Sequence, residues 1–374
     1  MAPFDTVVHE TLKKGFMPCV VPELKSITVG GAISGVGIES SSFRYGFVHE
    51  NVEEMEMLLS GGNTVKCSKN NKFKDLFFGI PNSYGTLGYI LNATISLIPV
   101  KPYVKLTHIR YDNIESYFQD LERYSKQEYV FIDGVVFSEN EMYITLGTFQ
   151  EKAPYTSRYT YLKIYYRSIQ KRKTDYLSIH DYIWRWDTDW FWCSEIFGLQ
   201  NPLIRFIVGK WTLNSRFYLK LGRINRRLKF LSTIHKIFSI NTESIIQDVE
   251  IPVENAAKYL YFHLRNIPVR PVWICPMKSS SFTFDLYKTK PNSLYINFGF
   301  WKVIRSEQNP GYYNRLIESE VDILNGRKTL YSDSYYTEDK FWELYNWKVF
   351  QNLKQKYDPD MKFKNLYEKC VLKQ

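Results

Sequence analysis

Paired cysteines are missing from this chain. Its five cysteines, Cys19, Cys67, Cys193, Cys275 and Cys370, are odd in number, widely scattered and never spaced C-x-x-C. That pattern argues against a disulfide framework and a cysteine zinc site, and for a reducing compartment or the cytosolic face of a membrane. The six histidines form neither H-x-x-x-H nor H-E-x-x-H, so no metal is expected. No window approaches about eighteen uncharged apolar residues, so no transmembrane helix is expected. The opening MAPFDTVVHETLKKGF carries Asp5, His9 and Glu10 and lacks the apolar run of a signal peptide. Acidic residues are absent from Arg205 to Lys236, a stretch with nine Lys or Arg. No recognisable nucleic-acid motif accompanies that charge, so nucleic acid is not an expected partner.

What is present is ordinary globular bulk with an aromatic excess. Of 374 residues, 44% are hydrophobic and 24% charged, enough for one large or two ordinary domains. Aromatics make up 17%, with 29 Tyr, 25 Phe and 9 Trp. Such rings suit an apolar ligand tunnel or a membrane interface, and equally a compositionally biased core.

The densest signal is Thr28 to Gly46, TVGGAISGVGIESSSFRYG, which places Gly30, Gly31, Gly35, Gly37 and Gly46 around Glu39, Ser40, Ser41 and Ser42. Glycine lets backbone approach a ligand closely, and bare runs of backbone N–H form anion-binding concavities. The spacing is neither G-x-G-x-x-G nor G-x-x-x-x-G-K-[ST], so Rossmann and Walker chemistry are not indicated. A structural turn is the competing reading.

Elements follow from periodicity. Residues 1–100 read as alternating helix and strand: helix from Thr6 to Gly15, strand from Ser26 to Val29, then a glycine loop opening a helix at Ile38 to Arg44. Strands at Val52–Leu59 and Val65–Ser68 flank Gly61-Gly62-Asn63, a hairpin signal. A short helix at Lys74 and a strand from Tyr89 to Ile98 follow. Pro99 and Pro102 mark a domain boundary. Residues 101–374 read as two strand-helix-strand-strand halves. The first has strands at Thr107–Tyr111, Val130–Phe137, Glu141–Phe149 and Tyr159–Tyr166. The second has strands at Gln247–Val253, Val272–Pro276, Phe282–Tyr287, Ser293–Phe300 and Thr329–Tyr335. Helices are expected at Ile114–Lys126, Glu254–Leu264, Tyr313–Leu324 and after Thr337. Between the halves lies an insert, 179–238, aromatic first (IWRWDTDWFWCSEIF) and basic after. It reads as a surface lying on an anionic membrane or as a helical hairpin packed on its neighbours.

The string VGGxIxGxGIESSSxxYG resembles the flavin-binding segment of the Delta(24)-sterol reductases, of the vanillyl-alcohol-oxidase superfamily with its PCMH-type FAD domain. Further matches run in order. They are Pro22-Glu23-Leu24, Tyr84-Gly85-Thr86-Leu87-Gly88 with Ile98-Pro99-Val100, His180-Asp181-Tyr182, Phe191-Trp192, Asn201 to Phe206, Pro271 to Pro276, Leu330 to Tyr335, and Phe341-Trp342-Glu343. The resemblance implies an α+β chain: part of a PCMH-type FAD domain over 1–100, then an α+β cap with a mainly antiparallel sheet over 101–374. It also implies that an N-terminal membrane segment and the first half of the flavin domain are missing. The alternatives are then an incomplete sequence, a second chain supplying that half, or a non-catalytic sterol- or membrane-binding homologue.

The activity implied is NADPH-dependent reduction of a sterol's side-chain Δ24 double bond through non-covalent FAD. Another flavin enzyme of the superfamily, such as an alkyl-glycerone-phosphate synthase or aldonolactone oxidase, fits the strings less well. The positions matching the FAD stretch are Thr28, Val29, Gly30, Gly31, Gly35, Gly37, Ile38, Glu39 and Ser40. Gly85, Thr86, Leu87 and Gly88 match a second flavin-proximal turn. Glu39 reads as a polar group near the flavin, tied to proton delivery, or as a carboxylate favoured by a helix dipole. Tyr84, Tyr335 and His49 are further candidates near the ring. A net charge of +10 favours anionic partners such as phospholipid or the phosphates of FAD and NADPH. The expected partners are a sterol and a membrane surface, on its cytosolic face, at the endoplasmic reticulum in a eukaryote.

Overall fold

The computed structural model describes residues 2–228 and 241–373. The last part of the predicted insert, 229–238, lies outside those residues. The chain is α+β with one large antiparallel sheet.

In the first hundred residues, β1 (Phe16–Pro18), β2 (Val52–Leu58), β3 (Thr64–Ser68), β4 (Tyr89–Ile95) and β5 (Leu97–Pro99) form two small sheets, β3-β2-β4 and β1-β5. The β2–β3 hairpin turns at Gly61-Gly62-Asn63, where Gly62 takes a φ of 84° that favours glycine. Alternation puts Val52, Met55 and Met57 of β2 into the core.

The glycine segment folds differently from its sequence expectation. Thr28 is an N-cap whose Oγ1 accepts from Gly31 N at 3.2 Å, so Val29–Ser34 is a helix rather than a strand running into a loop. All that remains of the expected strand is an isolated bridge between Pro3 and Thr28. The helix expected over Ile38 to Arg44 shortens to Ser42–Tyr45, because Ser42 Oγ accepts from Glu39 N and holds the preceding residues in a turn. The first helix is Phe4–Leu12.

The large sheet takes β6 (Tyr103–Tyr111), β7 (Phe131–Ser138), β8 (Glu141–Gln150), β9 (Thr174–Ser178), β10 (Thr242–Pro252), β11 (Val272–Lys278), β12 (Leu294–Arg305) and β13 (Arg327–Lys328), in the order β13-β10-β12-β11-β7-β8-β6-β9. Its paired neighbours are all antiparallel. The two halves fuse where β7 meets β11, with Gly134 opposite Ile274. Three helices, Ile114–Ser125, Ala256–Asn266 and Tyr312–Ile323, cover one face. Ile114, Tyr117, Phe118 and Leu121 recur at helical spacing and pack over Ile132, Val136, Ile274 and Phe298. The opposite face carries the alternate residues, among them Asp133, Trp273 and Cys275, and turns toward the first hundred residues.

Three expected strands are absent. Tyr159–Tyr166 is loop running into helix Tyr165–Ile169, since Tyr159 donates its hydroxyl to Asp175 and Tyr165 packs edge-on to Trp186; the edge strand is β9 instead. In Phe282–Tyr287 the rings pack on Phe78, His49 and Phe47 instead of pairing main chain. Beyond Arg327–Lys328, Tyr331 and Ser332 bind β10 through side chains, to Asp248 Oδ2 and Gln247 Oε1. The C-terminal helices, Glu338–Leu344 and Trp347–Tyr357, return to the first hundred residues. There Lys354 Nζ donates to Thr86 O at 2.9 Å and Lys369 Nζ to Tyr84 O at 2.6 Å.

Candidate functional site

Two kinds of glycine occupy the Thr28–Gly46 segment. A Cβ on Gly37 would sit 2.9 Å from Val48 and 3.2 Å from Ala32, and one on Gly35 would sit 2.8 Å from Gly31 O. Packing within the protein requires both. Gly30 is not required in this way, since a Cβ there would make ordinary contact with Ile90 at 3.5 Å. A Cβ at exposed Gly31 would come within 2.9 Å of the Thr28 hydroxyl that caps the helix. Glycine inside a helix costs about 0.5–1 kcal/mol relative to alanine. Gly30, with no internal demand for glycine, and exposed Gly31 beside it leave a bare cradle for a close-approaching group, which fits a flavin nucleotide. Ile38 and Val29 are half-buried beside it and pack on the core.

The second predicted turn joins this segment. Tyr84 N donates to Ser34 O at 3.3 Å and Tyr84 Oη to Gly35 O at 3.4 Å, while Leu330 N donates to the same hydroxyl at 3.0 Å. Gly85 (φ 78°) and Gly88 (φ 145°) need glycine, and a Cβ at Gly88 would also strike Leu58 O. Thr86 and Leu87 are buried, and the Thr86 carbonyl accepts from Lys354 of the C-terminal helix.

Glu39 and Ser40 point inward, to a cluster that sequence reasoning missed. Arg185 lies wholly buried among three carboxyls. Its guanidinium is 2.5 Å from Glu23, 3.3 Å from Glu39 and 2.7 Å from Asp133 of β7. Tyr182 stacks under it at 4.1 Å. Ser40 Oγ donates to Glu39 Oε1 at 2.5 Å and lies 2.8 Å from Tyr182 Oη, a continuous line of exchangeable protons. The Cys275 thiol donates to Glu39 O at 3.1 Å, and Trp273 Nε1 to Asp133 at 3.4 Å. Three carboxyls around one guanidinium in a dry site cannot all ionise cheaply. Burial drives Glu23 well above the usual carboxylate range and raises Glu39, with Arg185 opposing in both cases. Burial opposes the charge on Arg185 too, but the surrounding carboxylates and Tyr182 hold it well above its ordinary value. Glu39 therefore sits in an ion cluster, not at a helix dipole.

Cross-strand register extends this polarity over the sheet. Glu250 of β10 faces Asn297 of β12, which faces Cys275 of β11; Asp133 of β7 faces Thr145 of β8, which faces His108 of β6. Burial depresses His108, on this row, to about 4, and His49, away from it, to about 3. Burial pushes Glu250, bound by the Tyr287 hydroxyl, up to about 8. Among the described residues, Glu39 Oε2, Asn297 Oδ1 and Glu250 Oε1 are buried without hydrogen-bond partners. Such buried orphans are costly.

Other candidates fall elsewhere. His49 is caged by Phe47 and Phe284, and Tyr335 lies over Gly311 and Arg315 beyond β13. Tyr331, four residues earlier, is the one that reaches Asp248 and Trp301. The aromatic half of the insert is core rather than membrane surface: Trp184, Trp186 and Trp192 are buried. Trp190, Phe191 and Trp192 form a left-handed turn with φ near 47° that lays Phe191 and Trp192 on Trp301. Two signals for the cluster were legible: an arginine between two tryptophans, and an acid inside the apolar strand FIDGVV.

The FAD binding domain family matches residues 2–68, which hold the Gly30–Gly31 cradle, Glu23 and Glu39. The chain is 29% identical to the Delta(24)-sterol reductase of Homo sapiens over 368 residues, covering 94% of this chain and 69% of that one. It is 28% identical to the Mus musculus Delta(24)-sterol reductase, with the same coverage, and 26% identical to that of Arabidopsis thaliana, covering 97% and 71%. The chain is homologous to the Delta(24)-sterol reductases along nearly its whole length.

Proposed function

We propose that this homologue of the Delta(24)-sterol reductases is an FAD-dependent oxidoreductase that saturates the side-chain Δ24 double bond of a sterol, with NADPH as electron donor. One observation carries the reading. Glu39, within the stretch matched by the FAD binding domain, is tied through Arg185 to Asp133 on the large sheet, so the proposed cofactor segment and the sheet meet in a buried cluster of ionisable groups.

Thr28, Val29, Gly30, Gly31, Gly35, Gly37, Ile38, Glu39 and Ser40, with Gly85 to Gly88, are the segment proposed to hold FAD non-covalently. Gly30 and Gly31 admit it; Gly35, Gly37 and Gly88 shape the backbone behind them. When bound, FAD supplies hydride chemistry, reduced by NADPH and oxidised by the alkene.

The chain's own task is the proton. Saturating the bond breaks one carbon–carbon π bond and forms two C–H bonds, so one hydride and one proton are consumed. The proton must be stored at neutral pH where water is excluded. Burial raises the Glu39 carboxyl against the pull of Arg185, and the Ser40–Tyr182 hydroxyl line is its proposed proton relay. Arg185 keeps Glu39, Glu23 and Asp133 together in one orientation. The aromatic turn at Phe191 and Trp192 shields the sheet face from solvent.

The test is a Δ24-unsaturated sterol with NADPH and flavin-loaded protein, for wild type and Glu39→Gln. The variant keeps the shape and a hydrogen bond to Ser40 but removes the transferable proton. Wild type should reduce the sterol, and Glu39→Gln should retain flavin and lose rate by roughly 10²-fold or more. Wild-type turnover in the variant would remove Glu39 from the mechanism; flavin-loaded wild type that leaves the sterol unchanged would overturn the reaction itself.

A further inference from the structure

The helix Pro202–Val208 is inside out. Its one charged residue, Arg205, is its one buried residue, while Leu203, Phe206 and Ile207 are 65%, 66% and 74% exposed. The burial of Arg205 is built. Its Nη1 pairs with buried Asp189 and donates to Leu199 O at 3.1 Å, and its Nε donates to Tyr161 O at 2.6 Å. Beneath lies a small core of Leu199, Leu213 and Tyr218. The helix is therefore pinned with its apolar side out. Gly209 then turns the chain at φ 80°, and Trp211 follows, 83% exposed, with Lys210 over its ring at 5.0 Å. Ile196 adds a further half-exposed apolar group.

Exposed single hydrophobics are common, but a contiguous Leu-Phe-Ile-Trp surface on an ordered element marks an interaction site. The charge around it selects the partner. Lys210, Lys220 and Arg223 are exposed along the same segment, Arg216 beside them pairs with Asp5, and no Asp or Glu occurs from Arg205 to Lys236. An apolar stripe rimmed with cations, with a tryptophan at the boundary, fits a bilayer whose headgroups are anionic: the rings enter the acyl boundary and the cations stay with phosphate. Among the described residues no helix is long and apolar enough to cross a membrane. We infer that Leu203, Phe206, Ile207 and Trp211, with the cations of 210–223, form a peripheral docking surface for an anionic phospholipid bilayer.

The experiment is flotation of the full chain with vesicles of phosphatidylcholine alone and of phosphatidylcholine with phosphatidylserine. Two variants accompany wild type: Phe206→Ser/Ile207→Ser/Trp211→Ser, and Lys210→Glu/Lys220→Glu. All substituted groups are exposed, so melting temperature and far-ultraviolet dichroism should match wild type. Wild type should float with the phosphatidylserine vesicles and release as salt rises. Each variant should lose about tenfold or more in partitioning. The inference is overturned if wild type fails to float, or if the folded apolar variant floats as well as wild type. It is equally overturned if sedimentation velocity shows that the apolar substitutions convert a dimer to a monomer while vesicle binding is unchanged, which would make this face a contact between copies of the chain.

Discussion

Replacing Arg185 by methionine keeps the length and much of the apolar stem but leaves Glu23, Glu39 and Asp133 buried around no cation. Removing one partner of a fully buried ion cluster costs about 3–5 kcal/mol, because the remaining charge is uncompensated. That is a large share of the roughly 5–15 kcal/mol that holds a protein folded. At about 2.1 cal/mol/K of unfolding entropy per residue, a chain of 374 residues has an entropy near 0.8 kcal/mol/K, so the loss corresponds to a fall of about 4–6 °C in Tm. The fall has a signature that ordinary packing damage lacks. Without the guanidinium, which opposes the rise at Glu23 and Glu39, the folded-state pKa values of these two carboxyls climb further above their unfolded values. Carboxyls raised in this way bind protons more tightly folded than unfolded, so stability is intact at acidic pH and is lost as pH climbs toward the raised values. Differential scanning calorimetry of both proteins from pH 5 to pH 8 measures this. The gap in Tm should be narrow at pH 5 and wide at pH 8. A gap of the same width at both ends, or a Tm unchanged throughout, would refute the account of Arg185 as the charge that permits the three carboxyls to be buried together.

Two further outcomes are expected. Gly31→Leu adds a side chain at an exposed helical position whose Cβ comes within 2.9 Å of the Thr28 capping hydroxyl, so the cap should shift at a small cost in Tm while flavin binding is lost; unchanged flavin content in the purified, folded variant would dismiss the cradle. Glu250, raised to about 8 by burial, should cost stability as pH rises from the ordinary carboxylate range to about 8, by on the order of 4 kcal/mol in all. Glu250→Gln should flatten that slope in urea unfolding at pH 5 and pH 8, and parallel slopes would count against it.

Strands whose two faces meet different surroundings were legible. YVKLTHIRY and FIDGVVFS alternate because one face meets helices and the other meets the first hundred residues, and both form where expected. Aromatic alternation misled where rings serve tertiary contacts. Tyr159, Phe284 and Tyr331 mimic strand residues, yet their partners are Asp175, His49 and Asp248, distant in sequence. The helix at Val29 was hidden by Gly30 and Gly31, poor helix formers whose placement is decided by the Thr28 cap. The site was half legible. Glu39 and the glycines stand in one run, but Arg185 acquires meaning only when a loop 146 residues away is folded onto Glu39.

Arg185 and Arg205 show why the aromatic-basic insert cannot be read as one surface. Both are fully buried, and burying a guanidinium without compensation would cost several kcal/mol. Their acids differ in origin. Arg205 is neutralised by Asp189, sixteen residues away within the same segment, whereas Arg185 takes Glu23, Glu39 and Asp133 from the rest of the molecule. One arginine thus shapes the segment locally and the other docks it. Between them, the left-handed turn of Trp190 to Trp192 reverses the chain and sets Phe191 and Trp192 against Trp301. Residues before that turn must face inward to reach the sheet. Residues after it are free to present Leu203, Phe206 and Ile207 outward, because Arg205 already supplies the helix's inward anchor. The aromatic half is core and the helix Pro202–Val208 turns its apolar side outward by the same cause: each is oriented by where its arginine finds a carboxylate.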